Sequence, residues 1–113
     1  MTVIDIKTFD ELRQVSGADF LNELIDAFLD DAPKMIQQIR TALTNKDVES
    51  FRRNAHSLKS NAKTFGATGL AELSMELESI GRDNRLDAVG DRLEKLSVEY
   101  ARVETALKGM RNA

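Results

Sequence analysis

The residue best equipped for chemistry is His56, the single histidine of the chain, which lies in the stretch NAHSLKSNAKTFGA from Asn54 to Ala67. If that stretch is helical, at about 100° per residue, then Phe51, Ala55, Leu58, Ala62 and Phe65 fall within a wedge of roughly 80°. His56 stands roughly 100° or more from every member of that wedge, which places it toward solvent and not in a core. Within about 60° of it lie Arg52 and Arg53 one turn before, Lys59 and Ser60 one turn after, and Lys63 and Glu49 two turns away. Four cations and one acid therefore frame the imidazole in a chain whose net charge is −3. Such a ring of charge favours a neutral imidazole, whose free nitrogen is a nucleophile near neutral pH. It also favours any anion attached to that nitrogen. Ser60 is small and leaves the approach open. Reversible phosphorylation of an exposed histidine fits these residues; the bland alternative is a solvated, charged helix face.

A histidine can be presented this way only by a rigid element, and apolar residues at three- and four-residue spacing run through almost the whole chain. The helix bearing His56 is expected over about 47–65, with Asp47 as N-cap and Gly66 in the left-handed position that ends it. Before it, Phe20, Leu21, Leu24, Ile25, Phe28, Leu29, Met35, Ile36, Ile39 and Leu43 mark a long helix over 18–45, with a kink near 29–32 ahead of Pro33. Thr8 and Glu11 suggest a capping box for a short first helix ending near Gly17. After the histidine helix, TGLAELSMELESIG turns Leu70, Leu73, Leu77 and Ile80 inward and stops at Gly81. Leu86, Val89, Leu93, Leu96, Tyr100, Val103, Leu107 and Met110 form a 3-4-3-4-3-4-3 seam, read as one final helix of about seven turns capped by Asn84.

No segment alternates like a strand, and all connections are short. The expected fold is all-α: an antiparallel up-down-up-down four-helix bundle with a short N-terminal accessory helix, one domain over 1–113. That length, with 42% hydrophobic residues, suffices for one core. The chain has no cysteine, which fits a reducing compartment. Its start has no secretory pattern, and no apolar run approaches the roughly 18 residues of a membrane span. A cytoplasmic monomer without membrane or nucleic-acid partners is expected, since an acidic chain lacks the continuous basic face that nucleic acid requires. No glycine-rich phosphate loop is present. One histidine and no cysteine leave no metal-ligand set.

AHSLKSNAKTFGA resembles the signature of the histidine-containing phosphotransfer (HPt) domain, Ala-His-x-Leu-Lys-Gly followed by small residues and a Gly-Ala turn. Ala55, His56, Leu58, Lys59, Gly66 and Ala67 match it position by position, and GLAELSMELE is similar to the family's next helix. Ser60 stands where the family usually has glycine, and Asn61 where Ser or Ala is frequent. Glycine inside a helix costs about 1 kcal/mol relative to alanine, so its presence in the family points to close partner approach, which serine also permits. The resemblance implies that His56 takes a phosphoryl group from a receiver-domain aspartate and passes it to another receiver. Lys59 would then steady the phosphoryl oxygens.

By the same resemblance, Mg²⁺ and most of the catalytic apparatus belong to the receiver. The chain is then a phosphotransfer intermediate with no intrinsic cofactor, not an autonomous enzyme. Partners would be response-regulator receiver domains and a hybrid or sensor histidine kinase. Ser60, Arg52, Arg53, Lys63 and Gln38 are the docking candidates. Gln38, level with His56 on the preceding helix, is expected to reach the imidazole or a bound phosphate, and exposed apolar residues of the first helix and the start of the second would add a rim. Lys59 lies off the apolar wedge, so its truncation should slow transfer without touching the fold. The alternatives are a substrate domain of a chemotaxis-type kinase, disfavoured because the chain carries no kinase portion, and a phosphate-independent helical adaptor, which has no need of His56 and Lys59. A sensor-kinase dimerisation domain would have an acid directly after the histidine, where Ser57 stands.

Overall fold

The structure, a computed structural model, describes residues 3–111. Its helices are α1 (Ile6–Ser16), α2 (Ala18–Asn45), α3 (Val48–Thr64), α4 (Thr68–Arg82) and α5 (Arg92–Met110), with a short 3-10 turn (Leu86–Ala88) before α5. The last four form the antiparallel bundle and α1 is the accessory helix, as the apolar periodicity predicts. The most extensive contact is between α3 and α4, followed by α2 with α3. Antiparallel registers are visible in the side chains. Asn61 of α3 meets Met35 of α2, and Arg40 and Asp26 of α2 bond Ser97 of α5 and Arg111 just beyond it.

α3 begins where Asp47 accepts a hydrogen bond from the Ser50 backbone N–H at 3.1 Å, satisfying one of the helix's unpaired donors. It ends at Gly66, in the left-handed region at φ 78°. All five wedge residues, Phe51, Ala55, Leu58, Ala62 and Phe65, are buried. Complete burial of a Phe or Leu side chain stabilises by about 1.5–3 kcal/mol, so this face fixes the rotation of α3 about its axis. α2 is a single helix that contains Pro33.

Four local expectations are corrected. α1 starts at Ile6, not after Thr8: the Thr8 hydroxyl donates to the Asp5 carboxylate at 2.6 Å and caps nothing. The segment is anchored upstream instead, by buried Ile4 and by the Asp5 N–H donating to the Gly66 carbonyl at 2.8 Å. The final helix is shorter than its seam. Asn84 and Gly90 both take positive φ, 55° and 56°, so the chain turns twice, and α5 starts only at Arg92. Leu86 and Val89 keep the apolar spacing while lying outside α5, and Val89 is buried there.

Gly81 is inside α4 and does not end it. A Cβ there would stand 3.0 Å from the Arg52 Cβ and 3.2 Å from the Arg52 Cα, so its role is to let α3 come close. For the same reason the buried arc of α4 is rotated from the leucine stripe. It comprises Leu70, Ala71, Ser74, Leu77, Glu78 and Gly81, while Leu73 and Ile80 are only partly buried at its flank. The small residues mark the side on which α3 approaches most closely.

Candidate functional site

His56 is on the outer face of α3 with its side chain 55% exposed, directly opposite the core wedge. It is held from the neighbouring helix. Its Nδ1 lies 2.6 Å from Oε2 of Glu78, and the other oxygen of that carboxylate, Oε1, accepts from Lys59 Nζ, also at 2.6 Å. Arg82, one turn beyond Glu78 on α4, has its guanidinium 3.6 Å from Oε2. Glu78 is only 5% exposed and Lys59 18%. The site is therefore an exposed imidazole standing on a buried carboxylate, with a half-buried ammonium sharing the same base.

The protonation pattern follows from donor and acceptor chemistry. Burial pushes the Glu78 carboxyl up, but hydrogen bonds from Lys59 and His56, reinforced by the Lys59 charge, outweigh it and hold the group below the ordinary carboxylate range. An ionised carboxylate only accepts, so the 2.6 Å contact requires a proton on Nδ1. In the neutral ring Nε2 then carries the free lone pair, at the edge away from Glu78.

The charge expected around the histidine is redistributed. Arg52 pairs with Glu49 at 2.6 Å, a bond whose hydrogen bonding lowers the Glu49 carboxyl and raises the Arg52 guanidinium. Lys59 is committed to Glu78. Two of the four cations are thus matched by carboxylates, and the charge nearest the ring is negative. A wheel drawn for one helix cannot show this, because Glu78 comes from another. Arg53, Ser60 and Lys63 are exposed on the His56 face as expected.

Gln38 is exposed on α2, and the hydrogen-bond partner of the His56 ring is Glu78 on α4, the other neighbour of α3. Apolar side chains are exposed on α1 and at the start of α2, namely Ile6, Val15 and Phe20. Glu78 is the residue that sequence reasoning missed. The available signal was the set of small residues Ala71, Ser74 and Gly81, which identifies the helix side in close contact, with Glu78 the charged residue on it. Among the described residues no group of three or more acidic or histidine side chains is placed to hold a metal, and no helix is long and apolar enough to cross a membrane.

An antiparallel bundle that displays one lysine-flanked histidine on its surface defines a class, the histidine phosphotransfer bundles, which the AHSLK stretch resembles. Residues 23–113 match the family model described as Hpt domain, and the chain belongs to that family. It is 24% identical over 110 residues to Histidine-containing phosphotransfer protein 2 of Arabidopsis thaliana, covering 92% of this chain and 70% of the other. To the Phosphorelay protein LuxU of Vibrio harveyi it is 26% identical over 88 residues, 78% of this chain and 77% of the relative. Among solved structures, histidine-containing phosphotransfer protein B (HptB) from Pseudomonas aeruginosa PAO1 superposes with a TM-score of 0.90 at 28% sequence identity. That match covers 96% of this chain and 94% of that one.

Proposed function

We propose that His56 is the phosphoacceptor through which this chain serves as a phosphorelay intermediate in two-component signal transduction. The observation that carries the reading is the exposed imidazole whose Nδ1 is occupied by Glu78, leaving Nε2 as the free nucleophile. Family membership and the names of the relatives support it. In this reading Nε2 attacks the aspartyl phosphate of a receiver domain and later surrenders the phosphoryl group to the aspartate of another.

Catalysis in such a transfer is mostly positioning and charge stabilisation. The chain contributes a rigid nucleophile and an ammonium, Lys59, one turn along the helix; its Nζ swings from Glu78 toward the phosphoryl oxygens as they arrive. Mg²⁺ is supplied by the receiver, so the chain is a carrier and not an autonomous enzyme. Receivers approach over Ser60, with Arg52, Arg53 and Lys63 as cationic contacts and Gln38 at the α2 edge. A hybrid or sensor histidine kinase lies upstream, and the relay operates in the cytoplasm. The test is incubation with a phosphorylated receiver and Mg²⁺. The expected product is an acid-labile phosphoprotein that does not form in His56→Gln, and labelling that survives this substitution overturns the assignment.

A further inference from the structure

Ser60 stands exposed on the face of α3 that carries His56, one turn further along. A serine or threonine inside a helix can donate its hydroxyl proton to the carbonyl four residues earlier. Thr44, Thr64, Ser74 and Thr105 all do so, at 2.8–3.2 Å. Ser60 does not: among the described residues its hydroxyl has no hydrogen-bond partner, although the His56 carbonyl lies four residues behind it. Two cations within one turn of His56 are, by contrast, already spent. Lys59 Nζ is 2.6 Å from Glu78 Oε1, and the Arg52 guanidinium is 2.6 Å from Glu49 Oε1. A phosphoryl group arriving on the ring meets the Lys59 ammonium only after its bond to Glu78 opens, whereas Ser60 can donate at once.

The helix aims that hydroxyl at the reacting edge of the ring. By angular step Lys59 stands about 60° to one side of His56, toward α4, and Ser60 about 40° to the other. Residues four apart have Cβ atoms about 5–6 Å from each other, and helical side chains lean toward the N-terminus, which tips Ser60 back over His56. The carboxylate that holds the ring also holds Lys59, so the ring stands beside the turn that carries Lys59 and Ser60. With Nδ1 turned to Glu78 on α4, Nε2 faces away from α4, which is the side of His56 on which Ser60 lies.

Resting on the phosphoacceptor reading above, we propose that the Ser60 hydroxyl donates a hydrogen bond to a phosphoryl oxygen carried on His56 Nε2, and so sets how strongly the chain holds its phosphoryl group against a receiver aspartate. No bond to Ser60 forms or breaks. The N–P bond is made as the P–O bond to the donor aspartate breaks, its electron pair leaving with the carboxylate, and the hydroxyl proton stays on Ser60. The hydrogen bond exists only while the phosphoryl group is on the ring, so it shifts the equilibrium toward phospho-His56. An exposed hydroxyl exchanges water for the phosphoryl oxygen, and the net gain of such an exchange is modest, about two- to tenfold in an equilibrium constant.

The test is the equilibrium partition of phosphoryl groups between the chain and one receiver with Mg²⁺, in the parent, Ser60→Ala and Ser60→Gly, approached from labelled receiver and from labelled chain. Alanine removes only the oxygen from an exposed helix position and keeps the approach open. Contacts that serve docking alone change how fast the plateau is reached and not where it lies, because they do not enter the free energies of the separated proteins. Both variants lack the donor, and both plateaux are expected to move toward the phosphorylated receiver by about two- to tenfold. A plateau in either variant that coincides with that of the parent, or moves toward phospho-His56, overturns the inference while leaving His56 as phosphoacceptor. A parent that is never labelled overturns both.

Discussion

Truncating Lys59 tests whether the Glu78 pair is part of the fold as well as of the chemistry. Placed off the apolar wedge, Lys59 reads in the sequence as dispensable to stability, but its ammonium is the 2.6 Å partner of a carboxylate that is only 5% exposed. Leaving a buried charge with no partner costs about 3–5 kcal/mol. Glu78 would keep His56 at 2.6 Å and Arg82 at 3.6 Å, so the expected loss in Lys59→Ala is smaller, about 1–3 kcal/mol. For a chain of this size that lowers Tm by about 4–12 °C.

The assay is thermal unfolding of the parent, Lys59→Ala, Glu78→Gln and the double variant at pH 7, closed as a double-mutant cycle. In the Glu78→Gln background, truncating Lys59 should cost less than about 1 kcal/mol, because no buried charge is stranded. The pH dependence has a definite sign. Because folding lowers the Glu78 carboxyl, its contribution is present above the ordinary glutamate value of 4.5 and is lost as pH falls through the folded value beneath it. The gap between parent and Lys59→Ala should therefore close on acidification below that range. A Lys59→Ala protein as stable as the parent at pH 7, or a deficit that persists undiminished with Glu78→Gln, would refute the reasoning.

Two further substitutions address packing and access. Gly81→Val drives a branched side chain into the Arg52 Cβ at 3.0 Å and the Phe51 ring at 3.2 Å. Such overpacking should cost about 1–3 kcal/mol in urea unfolding, and an unchanged midpoint would show that α3 and α4 can separate freely there. Ser60→Trp adds bulk at an exposed position on the His56 face. Receiver binding in a pull-down or titration should be lost while the unfolding curve is kept, and normal complex formation would remove Ser60 from the docking surface.

Most of the architecture was legible in the sequence because helix formation here follows a strong local pattern. The wedge from Phe51 to Phe65 set both the burial of α3 and the outward direction of His56, and one periodic signal decided both. The errors lie where local signals compete. The seam from Leu86 onward keeps helical spacing through two positive-φ turns, since apolar spacing reports burial and not backbone continuity. Gly81 resembles a stop signal, but its missing Cβ serves a tertiary contact, which only the position of Arg52 reveals. Glu78 escaped the wheel of α3 for a related reason: that wheel accounts for the cations around His56, while the anion that pairs with Lys59 and the ring itself arrives from a helix whose rotation depends on Ala71, Ser74 and Gly81. Gln38 was placed level with His56 because α2 precedes α3 and packs antiparallel to it, whereas the more extensive contact of α3, and the partner of the ring, is with α4.

The placement of the carboxylate has a consequence for how the site is kept accurate. One turn either side of His56 on the same face, α3 carries Arg52 and Ser60, and the acceptor that Nδ1 meets is Glu78 of α4. The ring is therefore oriented only as well as α3 is held against α4. The bond is 2.6 Å long and N–H···O bonds extend to about 3.2 Å, so a widening of much more than about half an ångström takes Nδ1 out of hydrogen-bond range. That distance is maintained by Gly81 against the backbone of Arg52, one turn before His56, and by the buried Phe51, Ala55 and Leu58. Core packing and site geometry are thus a single property of the α3–α4 contact. Substitutions that widen it, even those far from any polar group, should release His56 Nδ1 before they unfold the bundle.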